Sequence, residues 1–242
     1  MAAFEATARV AASRQDLDPT ALAVAARRNA RELWHGSPAY PYCLRIGISS
    51  WEGLWCQFEG DEPEVRRLRA WAPTYRREAW RLPLAEQDVH DVALAEELGQ
   101  RFGLERRARH HVFGDVVPML IKLSESYALG LITNGASCLQ REKLSVSGLG
   151  DRFAAVVVSA EFGTGKPDPA IFLHALSRLG ADGRGAVMIG DSLSRDVDGA
   201  IAAGLSAVWI NRLGRPRPAG RRDLHEIATM NVLPDPLRRL EA

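Results

Sequence analysis

Two textures divide the chain. Up to about residue 105 the apolar positions recur at helical spacing, and from about residue 112 they gather into short continuous runs separated by helical stretches. In the first half, Ala2 to Ser13 predicts a helix of small residues. Thr20 to Trp34 predicts a second, with Leu22, Ala26, Ala30 and Leu33 near helical spacing. Asp61-Glu62-Pro63 predicts a helix start, because acidic residues and proline suit the first turn. Leu84 to Phe102 predicts another helix, broken near Gly103, and five of the six tryptophans (Trp34, Trp51, Trp55, Trp71, Trp80) fall in this half.

The second half predicts helices over Val116–Ser126, Ser137–Ser145, Pro169–Leu179 and Asp196–Ala203. Between them, Ala128–Ile132, Ala154–Val158, Ala186–Ile189, Ala207–Ile210 and Ile227–Val232 predict strands. Continuous apolar strands alternating with helices predict an α/β fold with a parallel sheet covered on both faces. Ligands of such sheets bind beyond the C-terminal strand ends, where the following helices point their positive N-termini.

Composition adds exclusions. A net charge of +1 provides no field to steer nucleic acid or a membrane surface. No apolar run reaches the roughly 18 residues needed to span a bilayer. The N-terminus lacks a basic patch followed by an apolar stretch, so no secretory signal is expected. Cys43, Cys56 and Cys138 lie far apart without C-x-x-C spacing, which predicts free thiols in a reducing compartment and a cytoplasmic protein. Of 31 basic residues only Lys122, Lys143 and Lys166 are lysines, which makes each lysine position informative.

Three polar clusters stand at strand ends. Thr133-Asn134-Gly135 closes one strand; a hydroxyl, turn N–H groups and a glycine suit a phosphate, and equally a capped strand-to-helix turn. Lys166 sits in Gly163-Thr164-Gly165-Lys166-Pro167-Asp168-Pro169, where an ammonium can neutralise phosphate or keep a carboxylate ionised. Gly190-Asp191 ends a third strand, with Asp196 five residues on. Hard carboxylate oxygens there suit Mg²⁺, Asp191 as direct ligand and Asp196 through water or as an orienting group.

Together, Thr133-Asn134-Gly135, Lys166-Pro167-Asp168-Pro169 with Ile171-Phe172, and Gly190-Asp191 with Asp196 resemble the second, third and fourth motifs of the haloacid dehalogenase-like (HAD) hydrolase superfamily. The resemblance covers roughly residues 112–232, and the helical first half looks like the family's inserted cap. It implies a Rossmann-like core over 109–242 with a mobile α-helical cap over 1–108, Mg²⁺, and an aspartyl-phosphate intermediate. Thr133, Lys166 and Asp191 are then catalytic; Thr133, Asn134, Gly135 and Lys166 hold phosphate; Asp191 and Asp196 serve the metal. The implied partner is a small phosphorylated metabolite such as a sugar phosphate, handled by a monomer or homodimer. Gln140-Arg141-Glu142-Lys143 and Trp209-Ile210-Asn211 look most like the phosphatases that act on N-acylneuraminate 9-phosphate. Rival readings are a 2-haloacid dehalogenase, which needs no metal, and a phosphate-binding remnant without turnover.

The family's first motif, an apolar strand ending in Asp-x-Asp-x-Thr, supplies the nucleophile and the general acid/base. Asp16-Leu17-Asp18-Pro19-Thr20 fits those letters, but Ala11-Ala12-Ser13-Arg14-Gln15 before it is no buried strand, and a helix follows directly. The expectation is a decoy: the chain begins late or is truncated, the nucleophile lies upstream of Met1 or is lost, and the sheet lacks its first central strand.

Weaker features read mainly as packing or solvated surface. The tryptophans suit a helical core, with Trp51 and Trp55 the candidates for a pocket. Arg66-Arg67-Arg69 and Arg76-Arg77 suit a solvated helix face, His110-His111 an exposed junction, and Arg212 to Arg222 a surface loop.

Overall fold

The computed structural model describes residues 1–221, 223–233 and 237. One unit comprises Met1–His111 with Gly135–Lys143, the other Val112–Asn134 with Leu144–Ala242.

The first unit is helical. Helices α1 (Ala2–Ala12) and α2 (Pro19–His35) pack against each other and bury Ala8, Ala11, Ala23, Ala26 and Ala30. Asp18 is the cap of α2, its Oδ1 accepting from the Thr20 N–H at 2.7 Å. Two short helices follow, α3 (Tyr40–Ile46) and α4 (Ser50–Gly53), the second opened by a reciprocal Ser49–Glu52 capping box. Helix α5 (Pro63–Ala85) starts at the expected proline.

Helix α6 differs from expectation at both ends: it spans Val92–Ala108. Leu84 closes α5 instead, because Asp91 caps the new start by accepting from the Leu94 N–H at 2.9 Å. Gly103 does not break the helix, since burial against Trp55 outweighs its propensity cost of about 1 kcal/mol. The tryptophans serve mainly as core. Phe4, Trp80 and Phe102 cluster, and Trp71 stacks on Tyr75 at 4.7 Å. The buried Tyr75 hydroxyl lies 2.8 Å from the carbonyl of Ser50 and 3.0 Å from that of Ala30.

The second unit is α/β. After α7 (Val116–Ser124) come β1 (Gly130–Thr133), α8 (Ser137–Ser147), β2 (Ala155–Val158), α9 (Ser159–Phe162), α10 (Pro169–Leu179), β3 (Val187–Gly190), α11 (Asp198–Ala202), β4 (Ser206–Ile210) and β5 (His225–Ile227); α8 begins in the first unit and ends in the second. All pairings are parallel, in two sheets: β1 with β2, and β3 with β4 and then β5. The strand period of two sorts the sheet's faces. Ala207 and Trp209 join Ile171, Phe172 and Val197 on one face, while Val208 joins Met119, Leu123 and Ile227 on the other. This is the Rossmann-like α/β arrangement that the strand–helix alternation predicts.

Two departures from the expected elements have a local cause. The strand expected over Ile227–Val232 is instead β5 at His225–Ile227, sharing only Ile227, and a 3₁₀ turn takes Met230–Val232, where the Met230 N–H donates to Asp115 Oδ2 at 2.7 Å instead of extending a ladder. The helix expected from Asp196 is preceded by a π turn over Leu193–Val197, and α11 itself begins at Asp198.

Candidate active site

The ends of β1 and β3 lead into Thr133-Asn134 and Gly190-Asp191, while Lys166 lies in the loop between α9 and α10 and Asp196 in the turn before α11. Thr133, half-buried, is the last residue of β1, in register with Val158. Asn134 follows and binds the Lys166 backbone twice: its Oδ1 accepts from the Lys166 N–H at 2.8 Å and its Nδ2 donates to the Lys166 carbonyl at 2.8 Å. A Cβ on Gly165 would stand 2.8–2.9 Å from the Asn134 amide, so the clasp needs glycine there.

The Lys166 ammonium returns to β1, donating to the Ile132 carbonyl at 2.8 Å, and pairs with Asp196 Oδ1 at 2.8 Å. The side chains of Lys166 and Asp196 are only 11% and 7% exposed. Asp196 Oδ2 accepts from the Ser192 N–H at 2.9 Å, so both oxygens are engaged. A Cβ on Gly190 would lie 2.3 Å from Asp196 Cβ, which explains the glycine at the end of β3.

Asp191 differs. Its side chain is 80% exposed, with Arg215 3.9 Å from Oδ2. Its backbone is held: the Trp209 indole N–H and the Arg215 guanidinium each donate to its carbonyl at 3.1 Å. Neither residue is assigned to this turn by the sequence. Arg215 lay in a tract that reads as surface loop, and Trp209 in a buried strand; only their convergence on one carbonyl reveals them. The rest of that loop is tied down too, with Arg212 bonded to Asp115 at 2.9 Å, Arg217 to Glu226 and Arg221 to Asp198; Arg222 lies outside the described residues.

Gly135 opens the segment that belongs to the first unit. It donates to the Ile46 carbonyl at 3.2 Å. Its φ of 135° and the Gln140 amide, 2.3 Å from where a Cβ would sit, require glycine. Glu52 Oε1 accepts from Gln140 at 2.6 Å and from Lys143 at 2.8 Å, and Glu142 pairs with Arg107 at 2.6 Å.

Elsewhere in the first unit, Trp55 lines a cavity of about 540 Å³ with Arg76, Arg107 and Gly99, whereas Trp51 meets Phe4 edge-on under Arg27 and Arg31. Arg66, Arg67 and Arg69 are solvated, but Arg76 is not: it donates to the carbonyls of Gly53 and Cys56, holding the loop after α4. His110 is half-buried and His111 exposed. Asp16 and Asp18 are both exposed on the turn between α1 and α2.

Among the described residues no group of three His, Cys, Asp or Glu side chains could hold a metal by itself. No described helix is long and apolar enough to cross a membrane.

The second unit is thus a Rossmann-like α/β unit with Thr133 ending β1, Asp191 just beyond β3 and Lys166 in the loop before α10. The chain belongs to the haloacid dehalogenase-like hydrolases, which it matches over residues 15–204. It is 38% identical over 200 residues to phosphoserine phosphatase of Thermus thermophilus, covering 82% of this chain and 79% of that one. It is 40% identical over 111 residues to mouse (Mus musculus) N-acylneuraminate-9-phosphatase, 45% of each chain. A 2-haloacid dehalogenase structure from Pseudomonas syringae pv. Tomato DC3000 aligns with a TM-score of 0.56 at 29% identity, over 98% of this chain and 90% of that one.

Proposed function

We propose that this hydrolase is a Mg²⁺-dependent phosphatase of a small phosphomonoester, working through an aspartyl-phosphate. The observation that carries this reading is the buried Lys166–Asp196 pair beside the exposed carboxylate of Asp191. Thr133, Asn134 and Gly135 supply the hydroxyl and turn amides for phosphoryl oxygens. Lys166 is held at its backbone by Asn134 and at its ammonium by Ile132 and Asp196, so its charge is presented without reorganisation. The phosphatase relatives support this reading over haloacid chemistry, as does Thr133.

The donor set fits Mg²⁺, which is commonly held through one or two carboxylates with water and substrate phosphate completing the shell. Asp191 is the carboxylate available, and Asp196, with both oxygens engaged, orients Lys166 and the Ser192 turn. When bound, the ion would neutralise charge on the transferring phosphoryl group.

A second reading, phosphate binding without turnover, is favoured by one observation. No described Asp-x-Asp pair directly follows a strand, and Asp18 of the pair that matches by letter is occupied as a helix cap. One experiment separates the readings: the protein is offered phosphoserine, sugar phosphates and a 2-haloacid, with Mg²⁺ or with EDTA. Phosphate release that is lost in EDTA and in Asp191→Asn supports the phosphatase. Chloride release in EDTA overturns it, and phosphate binding with no release under any condition selects the second reading.

A further inference from the structure

Two of the three cysteines meet. Cys56, in the loop after α4, and Cys138, in the first turn of α8, have their sulfurs 3.6 Å apart within the first unit. They are 82 residues apart in sequence, and both are free thiols. A disulfide needs about 2.05 Å, so the sulfurs must close by about 1.5 Å to bond.

The two sulfurs are not equivalent. Cys138 is half-buried, and its thiol is lowered to about 6 by the hydrogen bond from Cys56, helped by the backbone N–H groups of Glu59 and Phe58 against burial and the Glu59 charge. Its place at the start of α8 adds the positive end of the helix. Cys56 is fully buried and pushed upward, first by that shared hydrogen bond and then by burial, with Glu52 adding to the rise. Its segment is anchored by Arg76, which donates to the Cys56 carbonyl. Cys43 is the internal control: buried, and pushed up to about 12 by burial.

We propose that Cys138 and Cys56 form a peroxide-responsive disulfide, Cys138 as the reacting thiolate and Cys56 as the resolving thiol. The Cys138 sulfur attacks one oxygen of a hydroperoxide such as hydrogen peroxide and the O–O bond breaks. This leaves a sulfenic acid on Cys138 and a hydroxide that takes up a proton to become water. Cys56 then gives up its proton and attacks the Cys138 sulfur. The S–O bond breaks, the oxygen leaves as a second water, and the S–S bond forms. Two thiols thus deliver two electrons to one peroxide, and a dithiol reductant reverses the bridge by exchange. Cys138 stands three residues beyond Gly135, so the bridge would tether the segment that follows the proposed phosphate-binding turn.

The test treats the folded chain with a few equivalents of hydrogen peroxide and counts thiols. The count should fall from three to one, with a peptide linking residues 56 and 138 that dithiothreitol abolishes. Cys56→Ser should leave a sulfenic acid on Cys138 that dimedone traps, and Cys138→Ser should leave Cys56 unoxidised. Should either variant fail to fold, the unmodified protein still decides: iodoacetamide should label Cys138 at least about a hundredfold faster than Cys43. Equal labelling of Cys43 and Cys138, absence of the linked peptide, or its formation at the same rate in the urea-unfolded chain would overturn the proposal.

Discussion

Asn134 clasps Lys166 by its backbone, accepting from its N–H and donating to its carbonyl, each at 2.8 Å across 32 residues of sequence. The clasp joins the end of β1 to the lysine loop and requires both an acceptor and a donor on one planar group. Asn134→Asp keeps the acceptor but faces a carbonyl with a carboxylate, so it should destabilise more than Asn134→Ala. The alanine variant should lose about 1–3 kcal/mol in urea unfolding. A loss near zero in both would show that the clasp does not hold the loop.

The Lys166–Asp196 pair, at 2.8 Å and nearly buried, predicts strong asymmetry between single and double changes. Asp196→Asn leaves the ammonium without its counter-charge and should cost about 3–5 kcal/mol. Lys166→Met together with Asp196→Leu should recover much of that loss while abolishing phosphate binding. Additive single and double effects in a denaturation cycle would refute the pairing.

Asp191 predicts the reverse. Its exposed side chain should make Asp191→Asn nearly silent for folding, within about 0.5 kcal/mol. The same change should remove any Mg²⁺-dependent gain in phosphate affinity measured by calorimetry, and an unchanged gain would rule out Asp191 as the metal carrier.

Asp115 accepts from Arg212 at 2.9 Å and from the Met230 N–H at 2.7 Å. The Arg212 hydrogen bond, aided by Met230, holds its carboxyl below the usual carboxylate range against the opposing effect of burial. A depressed folded value means stability that is present above the unfolded pKa near 3.9 and is lost as pH falls through the folded one. Asp115→Asn should therefore cost about 1–3 kcal/mol at neutral pH, with the difference from the parent shrinking toward pH 3. A difference that stays constant from pH 7 to pH 3 would contradict this linkage.

Asp18 is expected to matter for α2 and not for chemistry. Asp18→Ala should lower stability by about 1 kcal/mol through loss of the cap, and Asp16→Asn should do nothing measurable. If either abolished phosphate release from an active preparation, the Asp16-Leu17-Asp18 turn would have to be read as catalytic.

What is local was legible along the chain. Apolar runs of four or five residues placed β1 to β4, and first-turn prolines set helix starts at Pro63 and Pro169, so Thr133, Asp191 and the lysine loop could be placed along the chain. Local signals also misled where a stronger one stood nearby, as when Asp91 took the helix start that periodicity placed at Leu84. Tertiary structure alone decided the pairings: Asp196 with Lys166, Trp209 and Arg215 on the Asp191 carbonyl, Asp115 ending the last strand, and Cys138 against Cys56. Each joins groups 18 to 115 residues apart. Hydrophobic periodicity reports which face of an element is buried and says nothing of which polar groups meet once it is. That choice belongs to burial, where an unpaired charge or hydrogen-bonding group costs more than any local preference can offset.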